Sequence, residues 1–117
     1  MKRILIVDDE KNVRLTLSRS LSALGVGVDL VISAEEALDR LAIYPYDLMI
    51  LDIRLPGMSG LDLIEALKEL DISVKTIVIS AHGTIEAAVS CLKSGALDFI
   101  EKPFSPDEIR AIVAKYI

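Results

Sequence analysis

Four short, mostly apolar runs in this chain each lead into polar side chains. The runs cover residues 4–7, 48–51, 77–79 and 97–100, and the polar residues that follow them are Asp8 with Asp9, Asp52, Ser80 and Lys102. Continuous runs of Val, Ile and Leu are typical of strands buried on both faces of a parallel sheet. Strands of such a sheet all point one way, so their carboxyl ends share one edge, where ligands bind. The sequence therefore predicts that three carboxylates, a hydroxyl and an ammonium group meet at one edge.

Strand-like runs alternate with amphipathic helical patterns along the chain, which predicts five βα units and an α/β fold. The predicted strands cover residues 4–7, 26–31, 47–51, 75–79 and 97–100. The first, third and fourth are the most apolar and are predicted at the centre of the sheet, whereas Gly27 and Asp29 interrupt the second, which suits an edge. With right-handed crossovers, these constraints favour a doubly wound parallel sheet of order 2-1-3-4-5.

Capping residues predict where several helices begin. Ser33 with Glu36 predicts a capping box, Thr84 a cap for the fourth helix, and Ser105 followed by Pro106 the start of the fifth. The fourth helix is predicted to carry the apolar residues Ile85, Ala88, Val89 and Leu92.

Size and composition narrow the class of protein. The chain has 117 residues, enough for one domain over residues 1–117, and no apolar run approaches the roughly 18 residues of a membrane span. The single cysteine, Cys91, is predicted to pack in the interior and fits a reducing cytoplasm. The net charge is −5 and no basic stripe carries interleaved aromatic residues, which disfavours direct binding of nucleic acid.

The acidic residues indicate a cation site. Asp8, Asp9, Glu10 and Asp52 are expected to converge, and carboxylates held within a few ångströms repel one another unless a cation intervenes. Mg²⁺ fits best, because it binds through one or two carboxylates, keeps several waters and bridges to phosphate oxygens. The alternative for the Asp8-Asp9 pair is a solvated turn or a helix cap.

Asp52 is the candidate nucleophile, because it follows the most apolar strand, where a surface aspartate is unexpected. A carboxylate there can attack phosphorus and form an acyl phosphate. Lys102 would neutralise one phosphoryl oxygen, and Ser80 would donate a hydrogen bond to another. Taken singly, Ser80 is read as a strand-end hydroxyl and Lys102 as a solvated lysine; their joint placement favours the site.

Four segments resemble the receiver domain of two-component response regulators. In sequence order they are Asp8-Asp9-Glu10, residues 51–60, Ile79-Ser80-Ala81 and residues 99–104, and the similarity covers the whole chain. The resemblance implies a flavodoxin-like (βα)₅ fold and a Mg²⁺ ion, for which Mn²⁺ could substitute. It also implies phosphotransfer to Asp52 from the phosphohistidine of a sensor histidine kinase or a histidine phosphotransfer protein.

The resemblance also implies roles for individual residues. Asp9, Asp52 and the main-chain carbonyl of Arg54 would ligate the metal directly, and Asp8 would act mainly through metal-bound water. The remaining matches are Ser80 and Phe99 at the hydroxyl and aromatic switch positions, and Lys102-Pro103 at the family's lysine and its cis peptide bond. Serine replaces the commoner threonine, and phenylalanine the frequent tyrosine, so this aromatic switch residue has no phenolic hydroxyl.

Residues 81–84 and 98–104 resemble receivers that are attached to transcriptional effectors. No effector follows Ile117, so the chain is expected to be either a stand-alone regulator or a receiver taken from a longer protein, and the resemblance favours the second. The expected output is a shift of the face formed by the fourth helix, fifth strand and fifth helix, which would bind an effector or a second copy in a symmetric dimer.

Two other functions compete with this interpretation. Aspartate-nucleophile phosphatases commonly carry a second aspartate two residues after the nucleophile, where this chain has Arg54. A nucleotide- or flavin-binding module would need a phosphate loop after the first strand, where this chain has Asp-Asp-Glu-Lys. His82, the single histidine, is interpreted as a loop residue at the rim of the site rather than a phosphocarrier.

Overall fold

The computed structural model describes residues 1–81 and 85–117, and it contains five parallel strands and five helices. The strands are β1 (Arg3–Val7), β2 (Gly27–Val31), β3 (Leu48–Asp52), β4 (Thr76–Ser80) and β5 (Asp98–Glu101). The helices are α1 (Lys11–Ser22), α2 (Ala34–Ile43), α3 (Gly60–Glu69), α4 (Ile85–Lys93) and α5 (Pro106–Ala114). The predicted alternation of strands and helices is confirmed, with strand ends displaced by one residue at several places.

The sheet has the order β2-β1-β3-β4-β5, and all neighbouring strands are parallel. The predicted doubly wound, flavodoxin-like topology is therefore confirmed. Every residue of β3 and β4 is buried, as expected for central strands, whereas β2 and β5 at the edges are only partly covered.

Two apolar layers cover the sheet. Residues of α1 and α5 pack against one face, and residues of α2, α3 and α4 pack against the other. Burial of these side chains is the main stabilising contribution of the fold, at about 25 cal/mol per Å² of apolar surface. Cys91 is fully buried in the second layer, as predicted.

Only some of the apolar residues that α4 was predicted to carry face the core. Ala88 is buried, but Ile85 and Val89 are 48% and 40% exposed. Cys91, three residues after Ala88, is the second inward residue. The helix is therefore rotated so that part of its apolar surface faces solvent.

Most predicted caps are present. The Ser33 hydroxyl accepts a hydrogen bond from the Glu36 amide at 3.1 Å, but the Glu36 carboxylate accepts from the Ile32 amide, not from Ser33 as a capping box requires. Ser105 caps α5 in a complete capping box with Glu108. Thr84, the predicted cap of α4, lies outside the described residues. Within the described ranges, no helix has both the length and the apolar character that crossing a bilayer requires.

Candidate functional site

The predicted polar groups do meet at the carboxyl edge of the sheet. Asp52 and Ser80 are the last residues of β3 and β4, and Asp8 directly follows β1. The Asp8 amide donates to the Val31 carbonyl at 3.2 Å, which extends the pairing of β1 with β2 by one residue. The Lys102 amide likewise donates to the Ser80 carbonyl at 2.8 Å, so the backbone holds the lysine beside β4.

Four carboxylates form an acidic cluster, made of Asp8, Asp9, Glu10 and Asp52. One ligand atom from each lies within 4.8 Å of the others, a grouping that could hold a metal ion. Asp8 is fully buried and Asp52 is 5% exposed, whereas Asp9 and Glu10 are exposed. The cluster thus has a buried floor and a solvent-facing rim.

Lys102 is the cation that faces this cluster. Its ammonium nitrogen lies 3.3 Å from Glu10 Oε1, 3.6 Å from Asp8 Oδ2 and 3.7 Å from Asp52 Oδ2. Partial burial lowers the pKa of Lys102, but the charges of Asp52, Asp8 and Glu10 together raise it above its usual value. Its charge is therefore retained at neutral pH, and its one ammonium group forms ion pairs with three carboxylates.

The two buried carboxyl groups hold their protons more tightly than a free aspartate. Burial raises the pKa of Asp52 to about 6, with a further increase from the Asp8 charge that Lys102 opposes. Burial also raises the pKa of Asp8, opposed by the Glu10 amide and by Lys102. Burial is thus the larger cause, and the repulsion that the sequence predicted is the smaller one.

Two buried oxygen atoms at the site lack a hydrogen-bond partner within the described part of the chain. They are Asp8 Oδ2 and Ser80 Oγ. By contrast, Asp8 Oδ1 accepts from the Glu10 amide at 2.8 Å and Asp52 Oδ1 accepts from the Arg54 amide at 3.1 Å. Buried polar atoms without a partner are costly and uncommon, so these two indicate that a ligand normally completes the site.

The remaining predicted site residues surround this centre. Arg54 is exposed in the loop after β3, and Phe99 is half-buried on β5, packed against the apolar layer that contains α4. The Lys102-Pro103 peptide bond is cis, as the resemblance implied. His82 lies outside the described residues.

Sequence reasoning assigned Glu10 only to the acidic cluster and gave no role to Arg14 or Gly60, yet all three residues shape the site. Glu10 forms the shortest ion pair with Lys102, and the Arg14 guanidinium donates to the Asp8 carbonyl at 2.8 Å. At Gly60, a Cβ atom would lie 2.7 Å from the Asp52 carbonyl oxygen and 2.9 Å from Ile53 Cα. Only glycine lets α3 begin so close to the backbone of the nucleophile candidate, and the Ser59 cap that precedes it was the available signal.

Chemically, the site combines a carboxylate at a strand end, a cluster suited to a hard divalent cation, a lysine and an unpartnered hydroxyl. Mg²⁺ prefers oxygen ligands and keeps several of its waters, which suits a cluster with two exposed carboxylates. Phosphoryl transfer needs positioning and charge neutralisation more than covalent help from the protein. The arrangement is therefore suited to accepting a phosphoryl group on Asp52.

Comparison with known proteins agrees with this chemistry. A family model described as "Response regulator receiver domain" matches residues 4–114. The DNA-binding transcriptional regulator NtrC of Klebsiella pneumoniae is 38% identical over 112 residues, which are 96% of this chain and 24% of that protein. The two-component response regulator PhoP of Pseudomonas aeruginosa is 41% identical over 109 residues, which are 93% of this chain and 48% of that protein.

This chain is also similar to a receiver domain of known structure. The receiver domain of NtrX from Brucella abortus superposes with a TM-score of 0.90 at 36% identity, covering 97% of this chain and 96% of that one. The chain thus spans one quarter to one half of the length of the full regulators that it matches.

Proposed function

Because this chain belongs to the response regulator receiver family, we propose that its carboxyl-edge site performs two-component phosphotransfer with Asp52 as the phosphoacceptor. The observation that carries this proposal is the position of Asp52: buried at the end of a fully buried strand, 3.7 Å from Lys102 and within the acidic cluster. The receiver domain would comprise residues 1–117.

We further propose that the acidic cluster binds Mg²⁺. Asp9, Asp52 and the main-chain carbonyl of Arg54 would be the direct ligands, and Asp8 would act mainly through a metal-bound water. The Oδ2 atom of buried Asp8 supports this: among the described residues it has an ion pair with Lys102 at 3.6 Å but no hydrogen bond, and a metal-bound water would supply one. A bound Mg²⁺ ion supplies neutralisation of phosphoryl charge, and Mn²⁺, with similar ligand preferences, could replace it.

In the proposed reaction, an Asp52 carboxylate oxygen attacks phosphorus. The new P–O bond forms as the P–N bond to the donor's histidine breaks. With a pKa of about 6, Asp52 is largely ionised at neutral pH, so the attacking oxygen carries no proton that must be removed. The Lys102 ammonium would pair with one phosphoryl oxygen, and the Ser80 hydroxyl would donate to another.

The test is intact-mass analysis after incubation with a small phosphodonor and Mg²⁺. The native chain is expected to gain one phosphoryl group, and Asp52→Asn is expected to gain none. Undiminished labelling of the variant, or labelling that survives complete removal of divalent metal, would contradict the assignment.

We propose a phosphoacceptor with slow self-dephosphorylation rather than an enzyme that turns over external phosphoesters. The support is position 54, where a phosphatase of this chemistry would carry an acid/base carboxylate. The exposed Arg54 side chain would instead obstruct the attacking water or pair with a phosphoryl oxygen. Arg54→Asn is therefore expected to lose its phosphoryl group faster, as measured by the decay of the phosphorylated mass. Equal decay rates would mean that position 54 does not control water.

The proposed output is a shift of the surface formed by α4, β5 and α5. Ile85, Val89 and Leu97 are 40–48% exposed on or beside α4 and β5, which supports a binding role for this surface. Inward movement of the Ser80 hydroxyl toward the phosphoryl group would free space for the Phe99 ring and bias a pre-existing equilibrium. The partners proposed are a cytoplasmic sensor kinase or histidine phosphotransfer protein, a second copy, and a transcriptional effector like those of the relatives.

A further inference from the structure

The loop between β3 and α3 is held by a side chain from a different helix. Glu35, in the first turn of α2, accepts a hydrogen bond through Oε2 from the Met58 amide at 3.2 Å. The same oxygen lies 2.7 Å from the place that a Cβ atom would occupy at Gly57. Gly57 has a φ of +77°, a conformation that favours glycine, so this turn leaves room for the carboxylate.

This contact holds the middle of a loop whose two ends are fixed in other ways. At the start, the Ile53 amide donates to the Ile79 carbonyl at 3.1 Å. At the end, the Gly60 amide donates back to the Ile53 carbonyl at 2.9 Å. Between these two bonds, Glu35 supplies a hydrogen bond to the loop from a different element of the fold.

Arg54 is the second residue of the loop, and its amide donates to Asp52 Oδ1 at 3.1 Å. A displacement of the loop would therefore move both the Arg54 backbone and the carboxylate that it contacts. Removing a group that is hydrogen-bonded directly to a metal ligand typically lowers metal affinity by about 10- to 100-fold. Glu35 acts one contact further from the ion, so an effect at the lower end of this range is expected.

We infer that Glu35 is a positioning residue for the Mg²⁺ site: its bond to the Met58 amide sets the loop so that the Arg54 carbonyl and Asp52 can bind one ion. This inference rests on the proposed function, because it assigns the Arg54 carbonyl to the metal. Glu35 touches neither the phosphoryl group nor the ion, and acts through the loop.

The experiment measures the Mg²⁺ dissociation constant of the full chain from metal-dependent shifts of backbone amide signals. Glu35→Ala removes the acceptor and is expected to raise the dissociation constant about tenfold. Glu35→Gln keeps an acceptor oxygen without the charge and is expected to stay close to native. Asp39→Ala, which removes an exposed carboxylate from the same helix, controls for the loss of negative charge.

Phosphorylation by a small phosphodonor gives a second readout. Glu35→Ala is expected to label slowly at low Mg²⁺ and to recover at saturating Mg²⁺, which a general loss of fold would not do. Gly57→Ala keeps Glu35 but displaces its carboxylate, so it is expected to weaken Mg²⁺ binding as well.

Three results would overturn the inference. Glu35→Ala binding Mg²⁺ as tightly as native would show that the contact has no effect on the site. Equal weakening in Glu35→Gln, or in Asp39→Ala, would show that charge and not loop geometry is the cause. If the native chain is phosphorylated at Asp52 in these cases, only this inference fails; if the native chain neither binds Mg²⁺ nor accepts phosphate, the proposed function fails first.

Discussion

Two aspartates in this molecule, Asp29 and Asp52, occupy opposite electrostatic environments. Asp29 lies on β2, beside Arg3, the first residue of β1, and Tyr46, which lies just before β3. Its carboxylate accepts from the Tyr46 hydroxyl and from the Arg3 guanidinium, both at 2.6 Å, and Arg40 lies 3.6 Å away. The Tyr46 hydrogen bond, with the nearby arginines, lowers the pKa of Asp29 despite its partial burial.

Asp52 has the same side chain and far fewer partners. One oxygen accepts from the Arg54 amide, the other lies 3.7 Å from Lys102, and Asp8 is beside it. Burial raises its pKa to about 6. The partners of Asp29 stabilise its charge within the fold. Asp52, at the carboxyl edge of the sheet, keeps charge and lone pairs that a ligand can use.

Added Mg²⁺ is expected to change stability most, because it would neutralise the carboxylate charge that distinguishes the surroundings of Asp52 from those of Asp29. An ion that binds only the folded form raises the free energy of unfolding by about 2.7 kcal/mol at a hundredfold excess over its dissociation constant. Urea unfolding with and without Mg²⁺ measures this. Asp9→Asn is expected to weaken the metal effect while leaving the metal-free protein no less stable. A metal-free loss of several kcal/mol in that variant would make Asp9 a structural residue.

The second effect is a difference in the free energy of unfolding between variants of the two aspartates, measured without metal. Asp29→Ala leaves the buried Tyr46 hydroxyl without its partner and is expected to lower the free energy of unfolding by about 1–3 kcal/mol. Asp52→Asn removes a buried charge and is expected to leave stability unchanged or increased. Urea unfolding of both variants in a chelator tests the pair. Comparable losses in the two variants would contradict the contrast.

The third effect is the pH dependence of the metal-free protein. Because the pKa of Asp52 rises from 3.8 unfolded to about 6 folded, the folded state binds more protons in this window. The contribution of Asp52 to the free energy of unfolding is therefore fully present below about pH 4 and is lost as pH rises through about 6. Asp29, with a lowered pKa, contributes in the opposite sense, and its contribution is lost as pH falls through its folded pKa. Asp8, whose pKa burial also raises, contributes in the same sense as Asp52. Unfolding curves from pH 3 to pH 8 are expected to show a decline between about pH 4 and 6 that Asp52→Asn reduces. An equal decline in that variant would assign the titration to another group.

The smallest expected effect on stability is that of Ser80→Ala. Ser80 Oγ is buried without a partner within the described residues, so its removal is expected to change the free energy of unfolding by about 1 kcal/mol or less. The variant is expected to accept phosphate, more slowly, yet to respond weakly. Shifts of the Phe99 ring and of backbone amides in α4, β5 and α5 report the response. Complete switching in Ser80→Ala would contradict the proposed coupling.

The sequence predicted the parts of the molecule that depend on local pattern. Burial of β3 and β4 follows from continuous apolar runs, and the shared edge of Asp8, Asp52 and Ser80 follows from parallel strands. The prediction was less accurate where two patterns compete. In α4, Ile85 and Val89 are four residues apart and Ala88 and Cys91 are three apart. Both spacings place residues on one side of a helix, so periodicity alone did not decide which of these residues face the core.

Contacts between distant segments could not be predicted. Asp29 read as an interruption of an edge strand, because its partners Arg3 and Tyr46 lie far from it in sequence. Nothing local in the sequence indicates the contact of Glu35 with Met58. Such contacts depend on how helices and loops pack across the sheet, which period and composition do not specify.

The most direct test of the central claim is the position of the phosphoryl group. After reaction with a small phosphodonor and Mg²⁺, borohydride reduction converts an aspartyl phosphate into homoserine, and peptide mass analysis locates the converted residue. Homoserine is expected at position 52 alone, and none is expected when divalent metal is removed. Conversion at Asp8, Asp9 or another residue with position 52 unmodified, or equal conversion without metal, would contradict it.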